Sequence, residues 1–340
     1  MDNTIVISTP PHVKSKRTTR GIMLDVIIAL LPAAIAGIVF FGWQAAVIEV
    51  VSVTTAVATE FIYYFILNGG FKNAGAVCKK WLKTFDFTSI ITGLILALVL
   101  PPNVKWYEVM IGDIFAIAVV KMLFGGTGKN LVSPSTAGRV MMFLSFSITT
   151  YTAANVAAIG EGSQIFTGAT YLSGFLLKGD ATAEMSLLDM FLGTGVAGCI
   201  GETCKAAILI GYIYLVVRKV IKWWQPVLYV VLSSFLSVCL AATGGTFDIT
   251  LFPAYALSGG LMFGAVYMAT DYVTSPKGIY GQIIYLIALA VLTSVLRFFT
   301  KIEVISFAIL IMNLFVPLID TYIVRKPFGY KKEKKQKEGK

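Results

Sequence analysis

Four polar stretches interrupt an otherwise apolar chain, and each carries side chains that could do chemistry. The first is Thr167-Gly168-Ala169-Thr170. A phosphoester needs a hydroxyl with little steric cover, and Gly168 and Ala169 leave the approach to Thr170 open. The plain alternative is a turn with a hydroxyl cap. The second is GGTGKNLVSPSTAGR, residues 125–139. It lacks the GxxxxGK(S/T) spacing of a phosphate loop and follows no soluble strand, which argues against ATP binding. A glycine-rich turn re-entering at the inner membrane surface fits better, because it offers free backbone N–H and C=O groups to a cofactor ring or an ion. An ordinary cytoplasmic loop with an arginine anchor is the alternative. The third is MATDYVTSP, residues 268–276, where Asp271 sits beside three hydroxyl side chains. Such a carboxylate suits a hard cation or the polar edge of a ring. A helix end followed by an Asp-initiated turn is the alternative.

The fourth stretch is Gly198 to Lys205 in the sixth apolar run. Glu202 and Lys205 are three apart, so one helical face brings them within pairing distance. A charge at mid-bilayer costs ~2.5–3.5 kcal/mol on insertion scales and normally faces the protein interior. Glu202 is therefore a candidate ion or proton relay, with a structural ion pair as the alternative. Asp25, Glu49 and Glu60 fall within the first two runs, and Asp25 lies close enough to the inner end to reach the headgroups.

The elements that must position these residues are membrane helices. The chain has 340 residues, is 57% hydrophobic and only 14% charged, against about a quarter charged in a soluble domain. Ten apolar segments are expected at about 22–42, 45–68, 87–101, 106–124, 139–151, 190–217, 225–243, 253–270, 280–299 and 303–324; those of ~20 residues can span a ~30 Å core. Residues 1–20 are polar and basic, and no cleavable signal precedes the first run. A cytoplasmic N-terminus puts 23 of 28 Lys/Arg inside, leaving Lys105, Lys178, Lys205, Arg297 and Lys301 as exceptions. Both termini are then cytoplasmic, and residues 152–189 with Thr170 face outward. Ten spans divide into two five-helix units, 21–151 and 190–324, of which the second must run inverted. The fold class is thus an all-α polytopic membrane protein of about ten transmembrane helices in two inverted five-helix repeats, with a basic tail at 325–340.

That tail carries eight Lys/Arg against two Glu. It reads as a flank touching anionic lipid of the bilayer rather than as a nucleic-acid surface. Cys78, Cys199, Cys204 and Cys239 form no metal-ligand spacing, and His12 is the only histidine, which excludes histidine-ligated haem within the membrane. No residue is assigned as catalytic and none as a metal ligand. On residues alone, a passive channel or secondary transporter with the same shell and no cofactor remains open.

Taken together in order, the motifs resemble one family. Pro11-His12, Gly21-Ile22-Met23, Ala29-Leu30 and Pro32-Ala33 open it. The segments GGTGKN with Ser133-Pro134 and Ala137-Gly138-Arg139, Gly201-Glu202-Thr203 with Ala207, and MATDYVTSP follow. The chain is similar over nearly its full length to the D subunit of the Rnf electron transport complex, related to the B subunit of the sodium-pumping NADH:quinone reductase. Gln164-Ile165 stand where the family usually has Asp-Gly, and Ser133 stands where the quinone reductase relative often has Asn. The resemblance implies a complex that moves electrons between ferredoxin and NAD+ and couples this to Na+ or H+ transport. It implies covalent FMN on Thr170, attached by a flavin transferase at the motif Thr167, Gly168, Ala169, Thr170. It implies a second, non-covalent riboflavin, with Asn130, Ser133 and Arg139 contacting it or shaping its turn, and Asp271 as a ring partner. Asp271 and Glu202 become ion-path candidates. The implied partners are the A, B, C, E and G members of the Rnf complex, in a bacterial-type cell (inner) membrane, with no activity expected of this chain alone. The quinone reductase relative is the competing assignment, and the missing long N-terminal extension speaks for the Rnf relative.

Overall fold

The computed structural model describes residues 17–69, 73–146, 152–153, 186–242, 249–300 and 303–323. Thr167, Gly168, Ala169 and Thr170 lie outside the described residues, as do the basic tail and His12.

Long, mostly apolar stretches make the long helices. In α1 (Thr19–Phe41) the Thr18 hydroxyl caps the first turn by accepting from the Gly21 N–H at 3.2 Å. Its 23 residues span ~34 Å at ~1.5 Å per residue, enough for the ~30 Å hydrocarbon core. Gly42, at φ +70°, ends α1 and allows α2 (Trp43–Leu67) to start at once. With α9 (Trp224–Ala241), α12 (Ile279–Thr300) and α13 (Ile305–Tyr322), five described helices are long and apolar enough to cross a membrane. Their outer faces present Leu24, Ile28 and Leu31 on α1 and Leu314, Phe315 and Leu318 on α13 to the surroundings. An apolar surface that extensive belongs against lipid. The polytopic helical membrane fold expected from the sequence is the one observed.

The shorter segments depart from the expectation of ten simple spans. α3 (Ala74–Thr84) meets α4 (Thr88–Val99) at 70°, and residues Ile249–Leu257, which include α10 (Phe252–Leu257), meet Leu261–Met268 at 67°. Counting each bent pair as one span gives at most seven among the described residues. α5 (Trp106–Ile114) continues as a π-helical stretch, Phe115–Met122. The fifth expected span is α6 (Pro134–Phe146), which starts five residues earlier than expected. The sixth is not one helix. α7 (Leu187–Leu192) ends at Gly193, an extended segment follows, and α8 begins only at Lys205 and runs to Val217. Gly193 and Gly195 take positive φ. The segment after them docks on the end of α4 through Ile200 N–H to Leu100 O (3.1 Å) and Gly201 N–H to Leu98 O (2.7 Å). Backbone hydrogen bonds to a buried helix end replace those a continuous helix would have made. Within this segment β2 (Ala197–Gly198) pairs antiparallel with β1 (Thr152–Ala153), a small exception to an all-α fold.

The broken elements sit at the centre. Gly93 to Val99 of α4 are all buried, as are all residues of the second π-helical stretch, Gly264–Met268, which follows α11 (Leu261–Phe263). α2 lies on α4 and α5 as α9 lies on α10 and α12, α5 meets α6 as α12 meets α13, and α1 faces α8 while α6 faces α13. Tyr267 ties the second π-helical stretch to α1 by donating to the Ala29 carbonyl at 2.8 Å.

Candidate functional site

Two polar regions lie at opposite ends of α4 and α8. The first is a cleft of ≈ 860 Å³, counting its open mouth. The glycine-rich turn supplies Thr127, Asn130 and Ser133, and the turn after the second π-helical stretch supplies Thr270 and Asp271. Ile91, Ile95, Leu215 and Val266 form apolar walls. The two sequence motifs, about 140 residues apart in the chain, therefore share one cavity.

Local hydrogen bonds fix each polar group. The Asn130 amide donates to the Val132 carbonyl at 2.9 Å, and the Ser133 and Ser135 hydroxyls are 3.2 Å apart. Asp271 accepts from the Thr274 hydroxyl at 2.9 Å and from the Val273 N–H at 3.4 Å, the geometry of an Asp-initiated turn. Asn313, fully buried on α13, ties the two turns together. With its amide oriented to match its neighbours, it accepts from the Ser133 N–H at 3.2 Å and donates to the Thr274 carbonyl at 3.3 Å and the Tyr285 hydroxyl at 3.0 Å. Sequence reasoning missed Asn313; a lone amide in an apolar span was the available signal.

A charged wall completes the cleft. Lys121, 2% exposed, donates to Glu60 at 3.3 Å, to the Thr88 hydroxyl at 2.6 Å and to the Ser89 hydroxyl at 3.0 Å. The Thr88 hydroxyl also donates to Asp86 at 2.6 Å and lies 3.2 Å from the Thr127 hydroxyl. This network links α2, α4, the first π-helical stretch and the glycine-rich turn. Asp25 accepts from Tyr214 of α8 and from Arg218 just after it, with a 3.0 Å ion pair to the arginine.

The second region surrounds the break before α8. Arg297 of α12, 1% exposed, donates to both oxygens of Glu303 at 3.1 Å. Gly260 N–H also donates to Glu303 at 3.3 Å. Glu202 approaches the same backbone so closely that a Cβ on Gly260 would collide with its carboxyl group. The expected pairing of Glu202 with Lys205 on one helical face does not form, because Glu202 precedes the helix. The Lys205 ammonium caps the Glu202 and Thr203 backbone carbonyls instead. Arg139 faces this region and donates to the Cys199 thiol at 3.6 Å, so it lies apart from Asn130 and Ser133. Glu202 and Asp271, both ion-path candidates, likewise stand in different regions. Lys205 and Arg297, two exceptions to the loop-charge asymmetry, are buried cations rather than loop charges.

The residues lining the cleft would fit a flavin ring. Apolar walls suit its faces, and an amide, a hydroxyl and a carboxylate suit its polar edge.

Comparison with known proteins bears on the same chain. The sequence profile described as the NQR2, RnfD, RnfE family matches residues 6–329. A protein of Acetobacterium woodii, named as the D subunit of a Na(+)-translocating ferredoxin:NAD(+) oxidoreductase complex, is 37% identical over 336 residues, covering 98% of each chain. A Clostridium ljungdahlii protein, named as the D subunit of a proton-translocating ferredoxin:NAD(+) oxidoreductase complex, is 33% identical, over 96% of this chain and 97% of its own. A Stutzerimonas stutzeri protein, named as the D subunit of an ion-translocating oxidoreductase complex, is 32% identical over 91% of both chains.

Proposed function

This chain belongs to the NQR2, RnfD, RnfE family, and from that premise we propose that it is the membrane subunit of an ion-translocating ferredoxin:NAD+ oxidoreductase complex. It acts with the other subunits of that complex and not alone. In this reading FMN is held through its phosphate on Thr170, in the outward loop 152–189, with both termini cytoplasmic. A second, non-covalent flavin occupies the cleft. The observation that carries the reading is that Asn130, Ser133 and Asp271, from two separate motifs, line one apolar-walled cavity.

When bound, a flavin supplies one- or two-electron exchange, which suits it to join iron–sulfur carriers. The chain's own residues do the positioning. Ile91, Ile95 and Val266 would hold a bound ring in apolar surroundings and exclude water from it. Asn130 and Ser133 orient the polar edge, and Asp271 stays fixed by Thr274 so that its remaining lone pairs face the cavity. The β1–β2 pairing supports the placement of the Thr170 loop at the far end of α8 from the cleft, because the loop's first residues meet Ala197–Gly198 there. The two bent helix pairs, one in 21–151 and one in 190–324, are consistent with two inverted repeats. The relatives' names carry Na+ in one case and a proton in another, so membership leaves the coupling ion to local side chains.

Denaturing electrophoresis under ultraviolet light tests the covalent part after expression with a flavin transferase. A fluorescent band that disappears in Thr170→Ala supports it, and a dark wild-type band refutes it. Extraction of the purified complex tests the cleft. Asp271→Ala together with Asn130→Ala is expected to abolish the released flavin while the covalent band persists; full retention refutes the cleft assignment.

A further inference from the structure

Asp113 lies at the end of α5, two residues before the first π-helical stretch, and is fully buried. Neither of its carboxyl oxygens has a hydrogen-bond partner among the described residues. Its carboxyl lies near the Ser52 hydroxyl of α2 without a well-formed hydrogen bond to it, and that hydroxyl is also fully buried. That hydroxyl donates to the Gly93 carbonyl of α4 at 2.7 Å. The three helices are pressed together here: a Cβ on Gly93 would stand 2.9 Å from the Ser52 carbonyl.

A hydroxyl has one proton to donate. While Ser52 gives that proton to Gly93, it can offer Asp113 only lone pairs. An ionised carboxylate in that position would face lone pairs in a dry interior, an arrangement that buried charges do not tolerate without a partner. The other charges on the elements packed around α5 are engaged, with Glu49 the exception. On α2, Glu60 pairs with Lys121. Glu49 sits one turn from Ser52, and its Oε1 also has no partner among the described residues. Arg139 of α6 faces Cys199, and α4 contains no titratable residue.

We propose that Asp113, the Ser52 hydroxyl and the Gly93 carbonyl form a binding site for one monovalent cation, a proton or a dehydrated sodium ion, within the α2–α4–α5 interface. A proton on Asp113 completes a chain in which the acid donates to Ser52 and Ser52 donates to Gly93. A sodium ion takes the carboxylate, hydroxyl and carbonyl as hard oxygen ligands, as alkali ions take backbone carbonyls elsewhere. When the cation leaves, the Ser52 O–H turns from Gly93 to the carboxylate and gives the empty state its partner. The site is independent of the flavin assignments, since none of its three groups lines the cleft.

Infrared difference spectroscopy on the purified complex in liposomes tests this. One difference is taken between acid and alkaline pH, and another between NaCl and KCl at constant pH. The wild type is expected to show a protonated-carboxyl band that Asp113→Asn loses and that Ser52→Ala shifts. Loss of that band in NaCl identifies sodium as the ligand, and a band indifferent to sodium identifies the proton. Glu49→Gln should leave the band in place. Identical spectra for wild type and Asp113→Asn in both differences overturn the proposal. Should Asp113→Asn not assemble, a Ser52→Ala complex with an unshifted band and an unchanged sodium response overturns it equally.

Discussion

Asn313 shows what a single buried amide can organise. It bonds the backbone of both motif turns, so the cleft keeps its shape only while that side chain stays in place. Asn313→Ala leaves the Ser133 N–H and the Thr274 carbonyl unpaired in the interior, each at about 1–3 kcal/mol. The expected result is loss of extractable flavin with the ultraviolet-fluorescent covalent band unchanged, read by extraction and electrophoresis of the same sample. The Arg297–Glu303 pair makes a second residue-scale prediction. Removing one member strands a buried charge, at about 3–5 kcal/mol, whereas removing both is much milder. Arg297→Met should therefore lower the melting temperature in detergent well below that of Arg297→Met combined with Glu303→Leu. Equal melting temperatures would contradict a pair held in a dry interior. At this scale Asn130, Ser133 and Asp271 were legible in the sequence because they stand in polar runs of special composition. Asn313, Lys121 and Asp113 stand singly in apolar helices, where spacing offers nothing to read.

Among the elements, the long helices were legible and the broken ones were not. α1, α2, α9, α12 and α13 are long and mostly apolar, and the length of the apolar run identifies them. The stretch 190–217 is apolar too, yet residues 193–204 within it are non-helical and dock on the end of α4. Hydropathy measures transfer from water and cannot tell a helix in lipid from an apolar loop buried in protein. The available signal was the glycine spacing at 193, 195, 198 and 201. α8 also depends on a close approach. A Cβ on Gly211 would collide with both the Ala29 carbonyl of α1 and the Tyr267 hydroxyl. Small residues permit such backbone contact between membrane helices. Gly211→Val is expected to force α1 and α8 apart, break the Tyr267–Ala29 hydrogen bond and deform the cleft wall at Leu215. Reduced extractable flavin together with a lower melting temperature is the expected outcome; wild-type values for both would contradict the close crossing.

For the whole molecule, two polar regions stand at opposite ends of a shell that faces lipid on its outside. The cleft lies at the end where α8 runs toward Arg218 and Lys219. The Glu202–Glu303 region lies at the other end, beside the strand that opens the Thr170 loop. In the orientation read from the Lys/Arg distribution, these ends are the cytoplasmic and outer faces. Cysteine labelling of intact cells with a membrane-impermeant maleimide should modify a cysteine placed at Gly179 and spare one placed at Gly339. The reverse pattern would invert the account. Within that frame, the covalent flavin on the outward loop is the claim on which electron passage across the molecule depends. Its direct measurement is peptide mass spectrometry of the subunit isolated from its own complex. The account predicts that the peptide containing Thr170 carries the mass of FMN less one water, with fragmentation assigning it to the Thr170 hydroxyl. A complete population of unmodified Thr170 peptide in a functioning complex would contradict it.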